Sequence, residues 1–288
     1  MTSSPSGELS QFTGLMRGFD MIQLAHQLGP ALPQRPGSPG FEYRLSDPHD
    51  KNGPRLDRQM PGSTSAADQM TVHIHTGTHI DSLAHIALDG RLADGSEVFT
   101  PGAQDEWNGI RMQAAETMTP IAGRAVLLDF AEHLNVSHAP GDYVITAGEL
   151  ERAAERQGVT FGPGDVVFLR TGRDTLAADP DAFYAAPFPG IDTTAAQRLA
   201  HAGIAATGSD TFAFEASQLD VALEPHVELI VRAGIFILEG LDLRELAARK
   251  CREFVVVIAP LRIAGATGSP VNPLAFIPAP AVRTGHPA

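Results

Sequence analysis

Cysteine is almost absent from this chain of 288 residues, with Cys251 its single example. One thiol cannot close an internal disulfide. That argues against a stapled secreted scaffold and a cysteine-ligated zinc site, and makes a reducing cytoplasm the expected location. Long apolar runs are missing too. None approaches the roughly eighteen residues that a membrane-spanning helix requires. The opening Met1 to Glu8 has neither a basic stretch nor an apolar core, so no signal peptide is expected. Basic clusters are also lacking: the formal net charge is −13 and no Lys or Arg run stands out. Nucleic acid and anionic membrane are poor partners for such a chain. Tryptophan occurs once, at Trp107.

What remains is an ordinary soluble composition, 43% hydrophobic and 19% charged, in a chain long enough to bury a sizeable core. Short runs rich in Val, Ile and Leu predict buried strands over 125–130, 165–170, 204–206, 235–238 and 254–259. Amphipathic patterns between them predict helices over 146–157, 193–201 and 242–250. In the first of these Thr146 and Glu149 form a capping box and Gly158 is the stop; Gly203 follows the second. Strands alternating with helices indicate an α/β or mixed α+β architecture. No repeat or interdomain linker is evident, so residues 1–288 read as a single domain. The segment 30–61, with seven prolines, reads as loop. Residues 1–18 read as a flexible N-terminus, and 272–288 as a Pro-rich tail wrapping a surface or a partner subunit.

Against this background the histidines are conspicuous. Four of eleven, His73, His75, His79 and His85, fall within thirteen residues, with Asp81 among them. Imidazole and carboxylate are the ligands that Zn²⁺ or Mn²⁺ accepts. Residues 72–81 alternate as a strand does, with His73, His75, Gly77, His79 and Asp81 on one face. A straight strand would hold the side chains of His75 and His79 roughly 13 Å apart, at about 3.3 Å per residue. One ion with bonds of about 2 Å cannot span that gap. The backbone must therefore bend, and Gly77 is the residue able to permit it. His85, four residues past Asp81, is placed to act as a general base or to ligate a second ion, with an ordinary pKa near neutrality. Downstream, Glu239 ends the apolar run Ile235–Leu238, where a carboxylate is costly unless paired or coordinating. His226 follows Glu224-Pro225, and Asp210 ends another apolar stretch, where capping a turn is an equal reading.

His75-Thr-Gly-Thr-His79-Ile-Asp81-Ser-Leu83-Ala-His85 resembles the H-x-G-T-H-x-D-x-P-x-H hallmark of the cyclase family, which includes bacterial kynurenine formamidase and isatin hydrolase. Leu83 stands where that family usually has proline. Further similar stretches follow in order: Gly164–Gly172, Gly208–Thr211, His226–Ile230, Gly234–Leu241 and Gly265–Pro270, with Asp20–His26 resembling the family's opening strand. The resemblance spans about residues 20–276. It implies a swivelling β/β/α fold assembled as homodimers or homotetramers. It implies His75, His79 and Asp81 as metal ligands, with His226 and Glu239 completing a second position in members that hold two ions. The cofactor would be one or two divalent ions, Zn²⁺ or Mn²⁺.

His85 is implied as the proton carrier, taking a proton from the attacking water and returning it to the leaving nitrogen or oxygen. The expected activity is hydrolysis of a small-molecule substrate, an amide or cyclic amide, arylformamidase- or isatin hydrolase-like. A lactone or cyclic imide hydrolase and a non-catalytic metal-binding protein of the same fold are the alternatives. Trp107, Phe41 and Tyr43 are candidates to line an aromatic pocket, with packing the competing reading for each. A serine hydrolase is disfavoured because no Gly-x-Ser-x-Gly occurs, and a dinucleotide enzyme because no Gly-x-Gly-x-x-Gly follows a strand.

Overall fold

The computed structural model describes residues 10–11, 13–14, 16–32, 37–50, 60–217 and 223–279. Its strands open with β1 (Phe19–Gln23), β2 (Glu42–Asp47), β3 (Ala67–Thr71), β4 (His79–Asp81), β5 (Gln104–Asp105) and β6 (Gly109–Ile110). The central group is β7 (Ile121–Asp129), β8 (Val144–Ile145), β9 (Val166–Arg170), β10 (Gly190–Ile191) and β11 (Ala206–Ser209). The chain closes with β12 (Phe236–Glu239), β13 (Glu253–Ile258), β14 (Gly268–Pro270) and β15 (Leu274–Pro278). The helices are α1 (Phe130–Leu134), α2 (Ala147–Gln157), α3 (Pro180–Tyr184), α4 (Thr193–His201), α5 (Glu224–His226, running on as a π-turn over Val227–Arg232) and α6 (Arg244–Ala248). Among the described residues no helix is long and apolar enough to cross a membrane.

Nine strands make one mixed sheet in the order β1-β15-β13-β7-β9-β11-β12-β4-β14. Its centre, β7-β9-β11-β12, is parallel; every other pairing is antiparallel. Four of the five predicted apolar runs become strands there, and the run 204–206 meets its strand, β11, only at Ala206; alternate side chains of these strands feed two different cores. Val126, Leu128, Val167, Leu169 and Ile237 pack with α2, α4 and Leu229 and Ile230 of the π-turn on one face. Ala125, Leu127, Val166, Phe168 and Leu238 pack with Leu243, Leu246, Phe254, Val256 and Ile277 on the other. The mixed α+β class expected from sequence is the one observed.

Four local expectations need correction. The stretch 72–78 is irregular and only His79–Asp81 is strand, because the chain turns at Gly77 (φ +64°) before entering the sheet. Within the Pro-rich segment, β2 pairs with β3 as a solvent-exposed ribbon instead of remaining loop; 33–36 and 51–59 lie outside the described residues. The tail is not a wrapping strap as far as Pro278: β15 is inserted between β1 and β13, with Ala275 and Ile277 buried. The capping box is half made. Thr146 accepts from Glu149 N, but the Glu149 carboxylate turns to Tyr143 and Arg152.

Candidate metal centre

β4 is the strand that assembles the site. It lies between β12 and β14, and its register sets Glu239 opposite His79. Just before β4 the left-handed turn at Gly77 folds His75 back toward Asp81. A side chain there would be strained by φ and would drive a Cβ to 2.6 Å from Leu32 Cδ2. Gly240, after β12, has φ +63° and sits against the Gly77 carbonyl, where a Cβ would approach to 2.5 Å. Thr78 Oγ1 donates to the Gly240 carbonyl at 2.5 Å and accepts from the His26 backbone at 2.9 Å. These contacts tie the bend to β12 and to the end of β1's connection.

The bend converges side chains that a straight strand would separate. His75, His79 and Asp81 form one group of donor atoms all within 4.8 Å of one another, and Asp81, His226 and Glu239 form a second. Asp81 belongs to both. His75 Nδ1 lies 2.8 Å from Asp81 Oδ1, and His79 Nε2 lies 3.4 Å from Glu239 Oε2. His226 Nε2 is 3.5 Å from Asp81 Oδ2 and 3.4 Å from Glu239 Oε1. For an ion with bonds of about 2 Å in tetrahedral geometry, ligand atoms stand about 3.3 Å apart. His79, Asp81, His226 and Glu239 are all buried. Yet His79 Nε2, both Asp81 oxygens and Glu239 Oε1 make no hydrogen bond. Buried polar atoms are normally satisfied, and carboxylate oxygens aimed at imidazole lone pairs without hydrogen bonds fit a divalent cation.

The outward nitrogens are anchored in the way metal-binding histidines usually are. His79 Nδ1 donates to the Gly77 carbonyl at 2.9 Å, which leaves Nε2 as the lone-pair nitrogen. His226 Nδ1 donates to Glu215, which also accepts from the His226 backbone N–H at 3.1 Å. His75 Nε2 shares a 2.9 Å hydrogen bond with Thr267 Oγ1. Burial works against charge on His79, Asp81, His226 and Glu239 alike. The carboxylates nonetheless raise His79 and His226 above the usual imidazole range, while the imidazoles hold Asp81 well below, and Glu239 below, the usual carboxylate range.

His85 belongs to neither ligand group. A tight turn, His85 N–H to the Ser82 carbonyl at 3.0 Å, carries the chain round after β4 in place of a helical turn. Leu83, at the family's proline position, packs against the core. The His85 ring stacks on His75 at 4.1 Å between centroids and stands 6.2 Å from His226. Burial, with the neighbouring His75 and His226 charges, lowers its pKa to about 4 against the pull of Asp81. His85 is thereby held neutral at physiological pH, with a lone pair able to accept a proton.

All six site residues singled out from sequence meet here, beside a cavity of about 620 Å³ lined by His73, His75, His85, His226, Glu239 and Phe212, among others. Asp210 does not join them. It is fully buried and accepts from Thr171 N, Thr171 Oγ1, Gly172 N and Asp174 N, so it is the turn cap. Ser269 is buried and donates to the Pro270 carbonyl. Trp107 is 87% exposed, and Tyr43 is exposed on the β2–β3 ribbon with its hydroxyl on Asp68; neither lines this cavity. The aromatic lining comes instead from Phe188 and Phe212, with Phe183 and Tyr184 beside His75 and His79. Sequence reasoning missed these and Glu215. The signal for Glu215 was available, since a carboxylate inside the apolar run Phe212–Ala216 raises the same question as Glu239.

The family model described as "Putative cyclase" matches residues 22–216. The chain belongs to the cyclase family. It is 27% identical over 275 residues to an isatin hydrolase of Roseibium aggregatum, covering 90% of this chain and 92% of that one. Among solved structures it resembles a novel cyclase (TM-score 0.76, 24% identity, 95% and 91% of the two chains). It also resembles an isatin hydrolase bound to the product analogue thioisatinate (TM-score 0.69, 23% identity, 96% and 100%).

Proposed function

We propose that this cyclase-family protein is a metal-dependent hydrolase that cleaves the C–N bond of an amide or cyclic amide of the arylformamide or isatin type. The observation that carries the reading is the buried set of unsatisfied imidazole and carboxylate atoms with His85 stacked just outside it. His75, His79, Asp81, His226 and Glu239 would hold one or two divalent ions, Zn²⁺ or Mn²⁺. When bound, a divalent cation supplies Lewis acidity, polarising a carbonyl and acidifying water.

The remaining chemistry falls to side chains of this chain. His85, neutral and facing the cavity, takes the proton from the attacking water and delivers it to the leaving nitrogen. Glu215 and Thr267 keep His226 and His75 oriented, so that the lone pairs stay aimed inward. Phe188 and Phe212 supply an apolar face opposite the ligands and keep bulk water from the reacting carbonyl. Assembly as a homodimer or homotetramer is part of the proposal. The β2–β3 ribbon exposes Tyr43, Leu45 and Met70, and a two-stranded ribbon without packing is marginal in water.

The test is metal content by elemental analysis, paired with hydrolysis of isatin and N-formylkynurenine before and after chelation. Bound metal with chelator-sensitive turnover is the expected result. Turnover that survives complete metal removal would sink the reading, and activity confined to lactones would redirect it to the ester bond.

A further inference from the structure

Arg173 is nine-tenths buried, yet among the described residues it faces no carboxylate at ion-pair distance. Its neighbour Arg170 shows the ordinary arrangement, paired with Asp129 and Asp174. The Arg173 guanidinium is spent on backbone: Nε donates to the Phe183 carbonyl at 2.7 Å, and Nη2 to the Ala182 and Ala185 carbonyls at 2.9 and 2.6 Å. These oxygens belong to the last turn of α3 and to its cap residue Ala185, whose N–H also bonds the Ala182 carbonyl; at a helix C-terminus most carbonyls lack intrahelical partners and the dipole is negative. Burial lowers the Arg173 pKa against the longer-range pull of Asp210, and a charge held this deep without a carboxylate in contact is costly. So expensive a cap on a five-residue helix points to what that helix carries.

It carries the aromatic wall. Phe183 and Tyr184 are the last residues of α3, and Phe188 follows four residues later with its ring 5.9 Å from the Arg173 guanidinium carbon. All three converge on Phe212, at 6.0, 4.3 and 4.5 Å between centroids. Phe212 borders the space beside His75 and His79 and also the larger cavity beside His85, His226 and Glu239. The depth and tilt of this wall therefore depend on where α3 ends.

We propose that Arg173 is a positioning residue for substrate: by clamping the carbonyls of residues 182, 183 and 185 it sets the aromatic wall at the spacing that admits a flat aryl group beside the ligand cluster and disfavours a puckered aliphatic ring. The inference rests on the hydrolase reading for its substrate class. A lysine keeps the charge but, as a compact point donor, cannot reproduce the rigid fork onto three carbonyls.

The metal-loaded wild type, Arg173→Lys and Phe212→Leu are compared for isatin kcat and KM. Fluorescence titration then gives the Kd of 2-aminobenzoate and its displacement by cyclohexanecarboxylate, with metal content and thermal midpoint as controls. In Arg173→Lys the isatin KM and the 2-aminobenzoate Kd are expected to rise about tenfold. Cyclohexanecarboxylate affinity, metal content and kcat should stay near wild type. Phe212→Leu, which leaves the clamp intact, should show the same loss of aryl preference, so the wall remains testable if Arg173→Lys folds poorly. Equal weakening of flat and puckered ligands, a change confined to kcat, or no change would overturn the clamp. A wild type that binds 2-aminobenzoate selectively but cleaves no amide sinks the hydrolase reading while the Kd values still judge the clamp. A wild type with no aryl preference overturns the clamp alone if isatin is still cleaved.

Discussion

The cavity has two walls of different origin. The polar wall takes His75, His79 and Asp81 from seven consecutive positions and adds Glu239 by strand register and His226 from a helix start. The aromatic wall takes Phe183 and Tyr184 from the short helix α3, Phe188 from the loop after it, and Phe212 from the bend that follows β11. The first is fixed by electrostatics: each buried imidazole or carboxylate needs its neighbours, and removing one leaves the others uncompensated. The second is fixed by packing and one guanidinium, and a ring replaced by another apolar group leaves no unpaired charge. A site built this way separates the chemistry, which tolerates little change, from substrate choice, which tolerates a good deal.

The largest expected effect breaks the polar wall at the residue common to both ligand groups. Asp81→Ala should lose bound metal and lower kcat/KM by ~10⁴-fold. Stoichiometric metal in the purified variant would remove Asp81 from the ligand set. Next comes the group beside the cluster. His85→Ala is expected to retain full metal while kcat falls about 10²- to 10⁴-fold, the range for losing a general acid–base. Unchanged turnover at normal metal content would show that the proton travels by another route.

Those two residues could be singled out as candidates without a structure because their signal is local. A glycine between histidines, and β-branched residues alternating with them, show that a bend is required for ligation, and Gly77 supplies it with φ +64°. The buried strands of the sheet centre were legible for a similar reason: runs such as 125–130 are apolar on both faces, which suits a doubly covered strand. What stayed hidden depends on contacts between distant segments. No pattern near Glu215 names His226 as its partner, and nothing near Phe183 shows that Arg173 will cap its helix. Residue 74 sits in an alternating run and yet is not in a strand, because the tie of Thr78 to Gly240, 162 positions away, overrides the local period.

A smaller effect sharpens the polar side. Glu215→Gln should weaken metal binding about 10- to 100-fold, since His226 loses the carboxylate that fixes its tautomer. Competition with a chromophoric chelator measures this directly, and an unchanged affinity would mean that the His226 orientation is set by packing alone.

Proton linkage gives the mildest and most general test. In the metal-free protein, Asp81, Glu215 and Glu239 hold His226 above its ordinary pKa, and Glu239 and Asp81 do the same for His79, against the effect of burial. A ligand nitrogen must be deprotonated before it can bind a cation. Because the raised pKa keeps each proton on to higher pH, metal affinity should climb as pH rises through and beyond the ordinary imidazole range. It should flatten only above the raised values. Calorimetric titration of the apoprotein in buffers of different ionisation heat should therefore show proton release on binding at neutral pH. The aromatic wall carries no such linkage, so 2-aminobenzoate binding to metal-loaded protein should show a much flatter pH profile over the same interval. Parallel profiles would mean that the two walls act as one titrating unit.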